Sequence, residues 1–539
     1  MAAEACSPVT LVDPPSSRTQ WRWVLTSALL LTLAFEPYAW LPPAGEAVAP
    51  ALLVLVGTAP LLAAFALDGG LGRMLGFGLL WWGATTCWLF KLDPFFGPPA
   101  WVAATLLLAC DLAPLGWILA RLRRRYGLNA FLWLAPVAWT GWEWLRVHPP
   151  LGTPWLALGN AFWKLPVLCQ IVEISGVPGL TLVIVMVGAG LARLLLRRPG
   201  DRFQLALGCG LLLGLLAYGQ ARLAMLDAAA GPPVKVALVQ PNIATTEKKM
   251  ILRAEDIFYR VLRQTDEVPA GTDLVIWPET AAPLLVENEP ALTADLAAEA
   301  RRLQATLCVG TFHEVIGDGT WPNAAALAGF DNPSPSFVVP KTNAAVIFGP
   351  DGRVVDVYSK VRLVLFGEYF PGRQYPVVAR QARYAPQFFA GRRLRAVHTP
   401  VGRLGVVICY ESVFPSDVRA LVRDGAEFLA VMTNDDQLLQ TGARQHYQQA
   451  VFRCIENRRW MARCANGGIS AVIDPAGRVV AASDWNRRTI TSGTLHRRSG
   501  LTPLARLGDW FGLLCLLATA AALAPRRRRG EARRDEVKS

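Results

Sequence analysis

Charge is scarce in this chain. Only 18% of its residues are charged, while 53% are hydrophobic. Soluble proteins carry nearer a quarter charged residues, so a chain lying wholly in water is excluded. The ten cysteines are scattered and form no Cys-x-x-Cys pair, which leaves no zinc ribbon, thioredoxin-type motif or secreted disulfide framework. Cys87, Cys110, Cys209 and Cys515 sit in apolar runs, where Cys acts as a small hydrophobe. Of only five histidines, His446 falls on a helical pattern but has no His or Cys at ligand spacing. No metal and no redox cofactor are expected. A cleavable leader is not evident either: Arg18 and Arg22 precede an apolar stretch without an obvious cleavage site before Glu36, so this stretch reads as a retained span. No solenoid-type repeat is visible.

Long apolar runs are abundant. A membrane span needs roughly 20 apolar residues. Candidates are 22–40, 49–67, 74–90, 100–120, 127–147, 171–195 and 203–222, with an eighth at 507–525. The composition therefore divides the chain into 1–225 (seven spans), 226–500 (a segment of mixed polarity, long enough for its own core) and 501–539 (a last span and a basic tail). The net charge of +13 sits mainly beside the spans. Arg121, Arg123, Arg124 and Arg125 follow the fourth, Arg193, Arg197, Arg198 and Arg202 surround the turn between sixth and seventh, and Arg526 to Arg529 follow the eighth. Arg73 lies between the second and third. Alternate loops are poor in cations: 41–48 has none and 91–99 has only Lys91. By the positive-inside rule both termini are cytoplasmic and 226–500 is extracytoplasmic. The arginines then read as topology and lipid contacts, not as a nucleic-acid site.

Segment 226–500 alternates strands and helices. Val234–Gln240, 273–279, 306–311, 344–348, 354–358, 403–411, 428–433, 469–473 and 478–482 read as strands; 247–266, 291–304, 416–424 and 443–460 read as helices. Two hairpin turns are marked, Gly349-Pro350-Asp351-Gly352 and Asp474-Pro475-Ala476-Gly477. Residues 330–342 are Pro- and Ser-rich and read as a surface loop. The tail after Arg529 reads as charged and unstructured.

Three side chains stand at strand ends, where a rigid backbone presents an accessible group. Cys409 closes the strand in GVVICYES, Glu279 follows Ile276-Trp277-Pro278, and Lys360 closes the second strand of a hairpin. Singly, each is ordinary: a core cysteine, a turn carboxylate, a solvated lysine. Together they supply a nucleophile, a base and a cation, the set that activates a thiol and stabilises an oxyanion.

The order VQPNI (239–243), WPET (277–280), YSKVRLVLFGEYFP (358–371), CYES (409–412), TND (433–435) and NGGISAVIDPAGRV (466–479) resembles the nitrilase superfamily, and more closely the apolipoprotein N-acyltransferase family. FEPYAWLP (35–42), EWLR (143–146) and GTPWLALG (152–159) resemble that family's membrane motifs. The resemblance implies a polytopic helical membrane domain followed by an extracytoplasmic α/β domain built as an α-β-β-α sandwich. It implies Glu279 as general base, Lys360 as oxyanion-stabilising cation and Cys409 as nucleophile, with Glu368, Tyr410 and Glu411 in support. It implies acyl transfer from a phospholipid to the free amino group of a diacylglyceryl-cysteine apolipoprotein, through a Cys thioester, in a bacterial inner membrane. Two departures are visible. Leu365 stands where the family usually has Pro, and Asp436-Gln437-Leu438-Leu439 replaces a small residue followed by Trp-Phe-Gly. The same triad would also serve a membrane-anchored amidase or nitrilase, with water in place of the amine. A catalytically silent scaffold is the remaining alternative. Trp155 and its loop, on the outer side, are candidates to line a lipid entrance. A monomer is the default expectation.

Overall fold

The computed structural model describes residues 16–35, 43–68, 70–92, 97–148, 152–197, 202–227, 231–248, 250–315, 341–372, 375–381 and 387–525. Residues 36–42 of the first membrane motif, Arg198, most of 330–342, the Arg526–Arg529 run and the charged tail lie outside these.

Among the described residues, the N-terminal part is built of helices and short connections, with no strand. Its main helices are Ser17–Phe35, Pro43–Asp68, Leu71–Thr85, Gly97–Asp111, Ala113–Val147, Val177–Leu195 and Arg202–Asp227; a further apolar helix, Trp510–Leu523, returns to pack on Ala113–Val147. Among the described residues, four helical runs are long and apolar enough to cross a bilayer: Gly45–Leu67, Gly97–Val147, Val177–Leu195 and Arg202–Leu226. The run Gly97–Val147 has 51 residues, more than twice what one crossing needs, and Gly127 breaks its helical geometry at φ 76°. The sequence pattern starts a helix at 171, but the long helix begins at Val177. Gly176, at φ 67°, ends the preceding turn Val172–Ser175, and Pro178 suits the first turn of the new helix.

The second part holds two six-stranded sheets in the orders β12-β1-β2-β3-β4-β5 and β11-β10-β9-β8-β7-β6. In the first, β1 (Pro233–Gln240), β2 (Leu274–Ile276) and β3 (Thr306–Glu314) are parallel; β4 (Lys341–Phe348), β5 (Val354–Ser359) and β12 (Thr489–His496) run antiparallel to their neighbours. In the second, β7 (Gly402–Ile408), β8 (Phe428–Thr433) and β9 (Met461–Ala465) are parallel, flanked by β6 (Val397–Thr399), β10 (Ala471–Ile473) and β11 (Val479–Ala482).

Side-chain alternation builds three apolar interfaces. Val236 and Leu238 of β1 join Val406, Ile408, Ala430 and Met432 in the core between the sheets. Ala237 and Val239 face the other way, onto the helices Ala254–Thr265 and Pro290–Leu303. On the far side, Val407, Leu429 and Val431 pack against the helices Pro415–Arg423 and Leu439–Asn457. Those two helices share one continuous apolar core with the membrane-type helices, through residues such as Leu158, Phe162, Cys169 and Val172. The α-β-β-α domain therefore rests its second helical layer on the N-terminal part.

Candidate active site

Parallel strands β1, β2 and β3 expose their carboxyl ends at the same edge. Glu279 lies three residues beyond β2, and its approach is tight: a Cβ on Gly310 of β3 would come within 2.0 Å of the Pro278 carbonyl oxygen. Only glycine lets the two backbones meet there. Lys360 directly follows β5, and its N–H donates to the Asn343 carbonyl at 2.8 Å. Cys409 directly follows β7, opens the turn Cys409–Val413 and sits at φ 51°. That left-handed conformation is costly for a residue with a Cβ, and it turns the thiol out of the strand direction.

The structure brings Glu279, Lys360 and Glu368 into one buried cluster. The Lys360 ammonium, 1% exposed, donates to Glu279 Oε1 at 3.1 Å and to Glu368 Oε1 at 2.8 Å. Asn343 Nδ2 donates to the same two oxygens at 2.7 and 3.0 Å. The other Glu279 oxygen accepts the Asn434 backbone N–H at 2.9 Å, and Glu368 Oε2 accepts the Val364 N–H at 2.8 Å. Burial alone would lower the Lys360 pKa. The Glu279 and Glu368 carboxylates and the nearby Cys409 outweigh it and hold the ammonium well above its ordinary value. Burial pushes the Cys409 thiol up, Glu279 adds to the rise, and Lys360 opposes it. At rest the sulfur therefore keeps its proton, and attack requires a base.

Glu411 stands behind the Cys409–Val413 turn. Fully buried, it accepts the N–H groups of Ile408 at 2.7 Å, Val361 at 2.6 Å and Arg362 at 3.2 Å, and the Tyr358 hydroxyl at 3.1 Å. One carboxylate thus ties the end of β7 to the segment after Lys360. Burial raises its pKa to about 7, against these donors and the Lys360 charge. Tyr410 points away from this cluster: its hydroxyl donates to the Gly152 carbonyl at 3.4 Å, in the loop before Trp155.

Sequence reasoning missed Asn343, the Asn434 N–H, and an Asp435–His446 pair beside the thiol. A lone Asn in the apolar strand KTNAAVIF was the available signal for the first. Cys409, Asp435 and His446 place one potential ligand atom each within 4.8 Å of one another. These atoms are already committed. Asp435 binds Arg463 at 2.6 Å, the Thr433 hydroxyl at 2.8 Å and His446 Nδ1 at 2.9 Å, while His446 Nε2 meets Ser412 Oγ at 2.9 Å and the Cys409 carbonyl at 3.2 Å. Asp435 and His446 thus form a hydrogen-bonded chain beside the thiol. The divergent residues Asp436–Leu438 form a short 3-10 turn directly after Asn434 and Asp435. Asp436 Oδ2 accepts the Thr245 N–H at 2.8 Å, and the turn directly follows Asn434, whose N–H binds Glu279.

Comparison with known proteins covers both parts of the chain. A family described as "Apolipoprotein N-acyltransferase N-terminal domain" matches residues 27–190, and one described as "Carbon-nitrogen hydrolase" matches 235–500. The chain is 30% identical over 536 residues to the apolipoprotein N-acyltransferase of Geobacter metallireducens, covering 95% of this chain and 96% of that protein. It is 31% identical over 432 residues to the protein of that name from Chlorobaculum tepidum, covering 75% and 79%. Among solved structures it is similar to a carbon-nitrogen hydrolase from Helicobacter pylori, at 18% identity and TM-score 0.36, over 49% of this chain and 89% of that one.

Proposed function

Because the chain belongs to the apolipoprotein N-acyltransferase family, we propose that Glu279, Lys360 and Cys409 carry its acyl transfer in two half-reactions. The protein is a membrane acyltransferase whose substrates are lipid and lipoprotein. In the first half-reaction Glu279 takes the Cys409 proton as the sulfur attacks the ester carbonyl of a phospholipid. Lys360 and the Tyr410 backbone N–H receive the developing oxyanion, a contribution of roughly 3 kcal/mol per donor in comparable sites. Glu279 returns the proton to the departing lysophospholipid, leaving a thioester. In the second, the α-amino group of a diacylglyceryl-cysteine attacks the thioester, Glu279 removes its proton, and Cys409 leaves as the thiol. Glu368 holds Lys360, Glu411 braces the nucleophile turn, and Tyr410 ties that turn to the membrane part.

The observation that carries this reading is the seam. The turn bearing the thiol is bonded through Tyr410 to the Gly152 loop, and the helix behind it shares a core with the apolar helices. A site at that seam receives an acyl chain without extracting it from lipid, which would cost roughly 0.8 kcal/mol per CH₂.

The proposed layout is 1–225, 226–500 and 501–539, with eight spans. They comprise the helices named above, with Gly97–Val147 divided at Gly127. Arginine placement supports cytoplasmic termini and a catalytic domain on the periplasmic face of a bacterial inner membrane. The site is proposed to work as a monomer, without metal, cofactor or nucleic acid.

The test compares a phospholipid plus a diacylated lipopeptide with small amides as substrates for the full chain in lipid. N-acylation of the lipopeptide without appreciable amide hydrolysis is expected. Amide hydrolysis without lipopeptide acylation would favour the amidase alternative. Complementation of a strain lacking N-acylation, with wild type but not Cys409→Ser, is the cellular counterpart.

A further inference from the structure

We propose that His446 is a positioning residue for Cys409, acting as the clasp of a buried ring that fixes the strained nucleophile turn. The proposal rests on the reading of Cys409 as nucleophile.

Cys409 occupies φ 51°, a conformation that persists only where its surroundings impose it. The ring does so from both ends of the residue. From the carbonyl end, His446 Nε2 lies 3.2 Å from the Cys409 oxygen, and Ser412 Oγ donates to the same oxygen at 2.8 Å while touching Nε2 at 2.9 Å. From the sulfur end, the thiol lies within 4.8 Å of Asp435 and His446, and the Thr433 hydroxyl donates to Asp435 Oδ1 at 2.8 Å. Asp435 closes the ring by receiving His446 Nδ1 at 2.9 Å. Arg463 anchors it, donating to Asp435 Oδ2 at 2.6 Å and to the Ile469 carbonyl at 2.6 Å. His446 is 2% exposed, and Asp435 and Arg463 are fully buried. Buried polar groups this densely placed are stable only when each has its partner, and then they rigidify what they touch.

The clasp is also held from outside the catalytic domain. The Trp155 ring lies over His446 at 6.1 Å and 27°. The neighbouring Gln445 Oε1 accepts the indole N–H groups of Trp88 at 3.1 Å and Trp155 at 2.7 Å, and its amide donates to the Thr85 carbonyl at 3.0 Å. The helix that carries His446 is thereby pinned to the membrane part at this point. Glu279 and Lys360 take no part in the ring, so it contributes geometry and leaves proton transfer to Glu279 and oxyanion stabilisation to Lys360.

The test uses the full chain in phosphatidylethanolamine vesicles and measures single-turnover acylation of Cys409, its dependence on donor concentration, and thermal stability. His446→Ala should slow acylation at saturating donor by about 100-fold, the cost of an ångström-scale misplacement, while half-saturation shifts less than threefold. His446→Gln, whose side-chain amide can present an N–H toward the Cys409 carbonyl, should recover at least tenfold of that loss. If His446→Ala fails to fold, Ser412→Ala decides, with a slowing of about tenfold expected. Iodoacetamide alkylation of Cys409, which needs no acyl donor, should slow at least threefold in the same variants. Acylation and alkylation within threefold of wild type in His446→Ala, or His446→Gln no faster than His446→Ala, would overturn the proposal. A wild type that is never acylated, yet whose alkylation responds to His446, would instead overturn the functional reading and leave the clasp standing.

Discussion

At the residue scale the site depends on one cation shared by two carboxylates. Lys360 is buried and bonded to both Glu279 and Glu368, so its removal takes away the charge proposed to meet the oxyanion and leaves like charges facing each other. Lys360→Met should lower acyl transfer by about 10³-fold, the size expected when a main oxyanion donor is lost, with donor affinity little changed. Steady-state kinetics on mixed micelles would check this. Glu411 makes a pH prediction. Its folded pKa of about 7 lies above the ordinary carboxylate value, so between roughly pH 4.5 and 7 the folded protein binds more protons than the unfolded chain. This group's stabilising effect is complete below that window and is lost as pH rises through it. The thermal midpoint of Glu411→Gln should vary less with pH across the window than that of wild type. The placement of Glu279, Lys360 and Cys409 after strand ends was readable in the sequence. Asn343 and the Asp435–His446 pair were not, because their roles depend on which strands become neighbours. A search for ligand spacing along the chain could not detect that His446 meets Asp435, eleven residues away, across a helix start.

At the scale of elements, strands rich in Val, Ile and Leu were legible, and weaker ones were not. β8 falls at 428–433, as its run of apolar residues predicts. β9, Met461-Ala-Arg-Cys-Ala, has no β-branched residue and is absent from the strands expected from the sequence; Arg458, in the left-handed conformation, ends the helix before it. β12, TITSGTLH, is polar and glycine-containing, and only pairing with β1 along eight residues makes it a strand. The helix expected over 247–266 is confined to Ala254–Thr265, preceded by the short turns Thr245–Lys248 and Ile251–Arg253. The β2–β3 junction yields a further prediction. In Gly310→Ala the new methyl would meet the Pro278 carbonyl at 2.0 Å, pushing the Glu279 turn outward. Activity should fall at least tenfold, a misplacement effect of the kind that reaches about 100-fold for 1 Å. Rates and thermal midpoint measured side by side would check that catalysis suffers more than folding.

At the scale of the whole molecule, the two parts are joined by buried polar contacts as well as by apolar core. Arg458 binds Glu173 Oε2 at 2.7 Å, Gln170 Oε1 at 2.7 Å and the Pro475 carbonyl at 2.9 Å. Arg419 binds Asp509, just before the last apolar helix, at 2.9 and 2.6 Å. Arg458→Ala should destabilise the protein by about 3 kcal/mol, as when one partner of a buried ion pair is removed. Thermal unfolding in detergent would detect it. Composition and loop charge revealed the division into a helical and an α/β part. They did not reveal that the outer helices of the sandwich serve as the docking layer, because Pro415–Arg423 and Leu439–Asn457 carry ordinary soluble-type sequences.

The central claim, acyl transfer through Cys409 at this seam, is tested most directly by intact-protein mass spectrometry after exposure to an isotopically labelled phospholipid. Wild type should gain the mass of one acyl chain, on the peptide containing Cys409 and labile to hydroxylamine. Adding a diacylated lipopeptide should discharge the label onto the peptide's amino group. A labelled adduct in Cys409→Ala, or a wild-type adduct that the lipopeptide cannot discharge, would contradict the account.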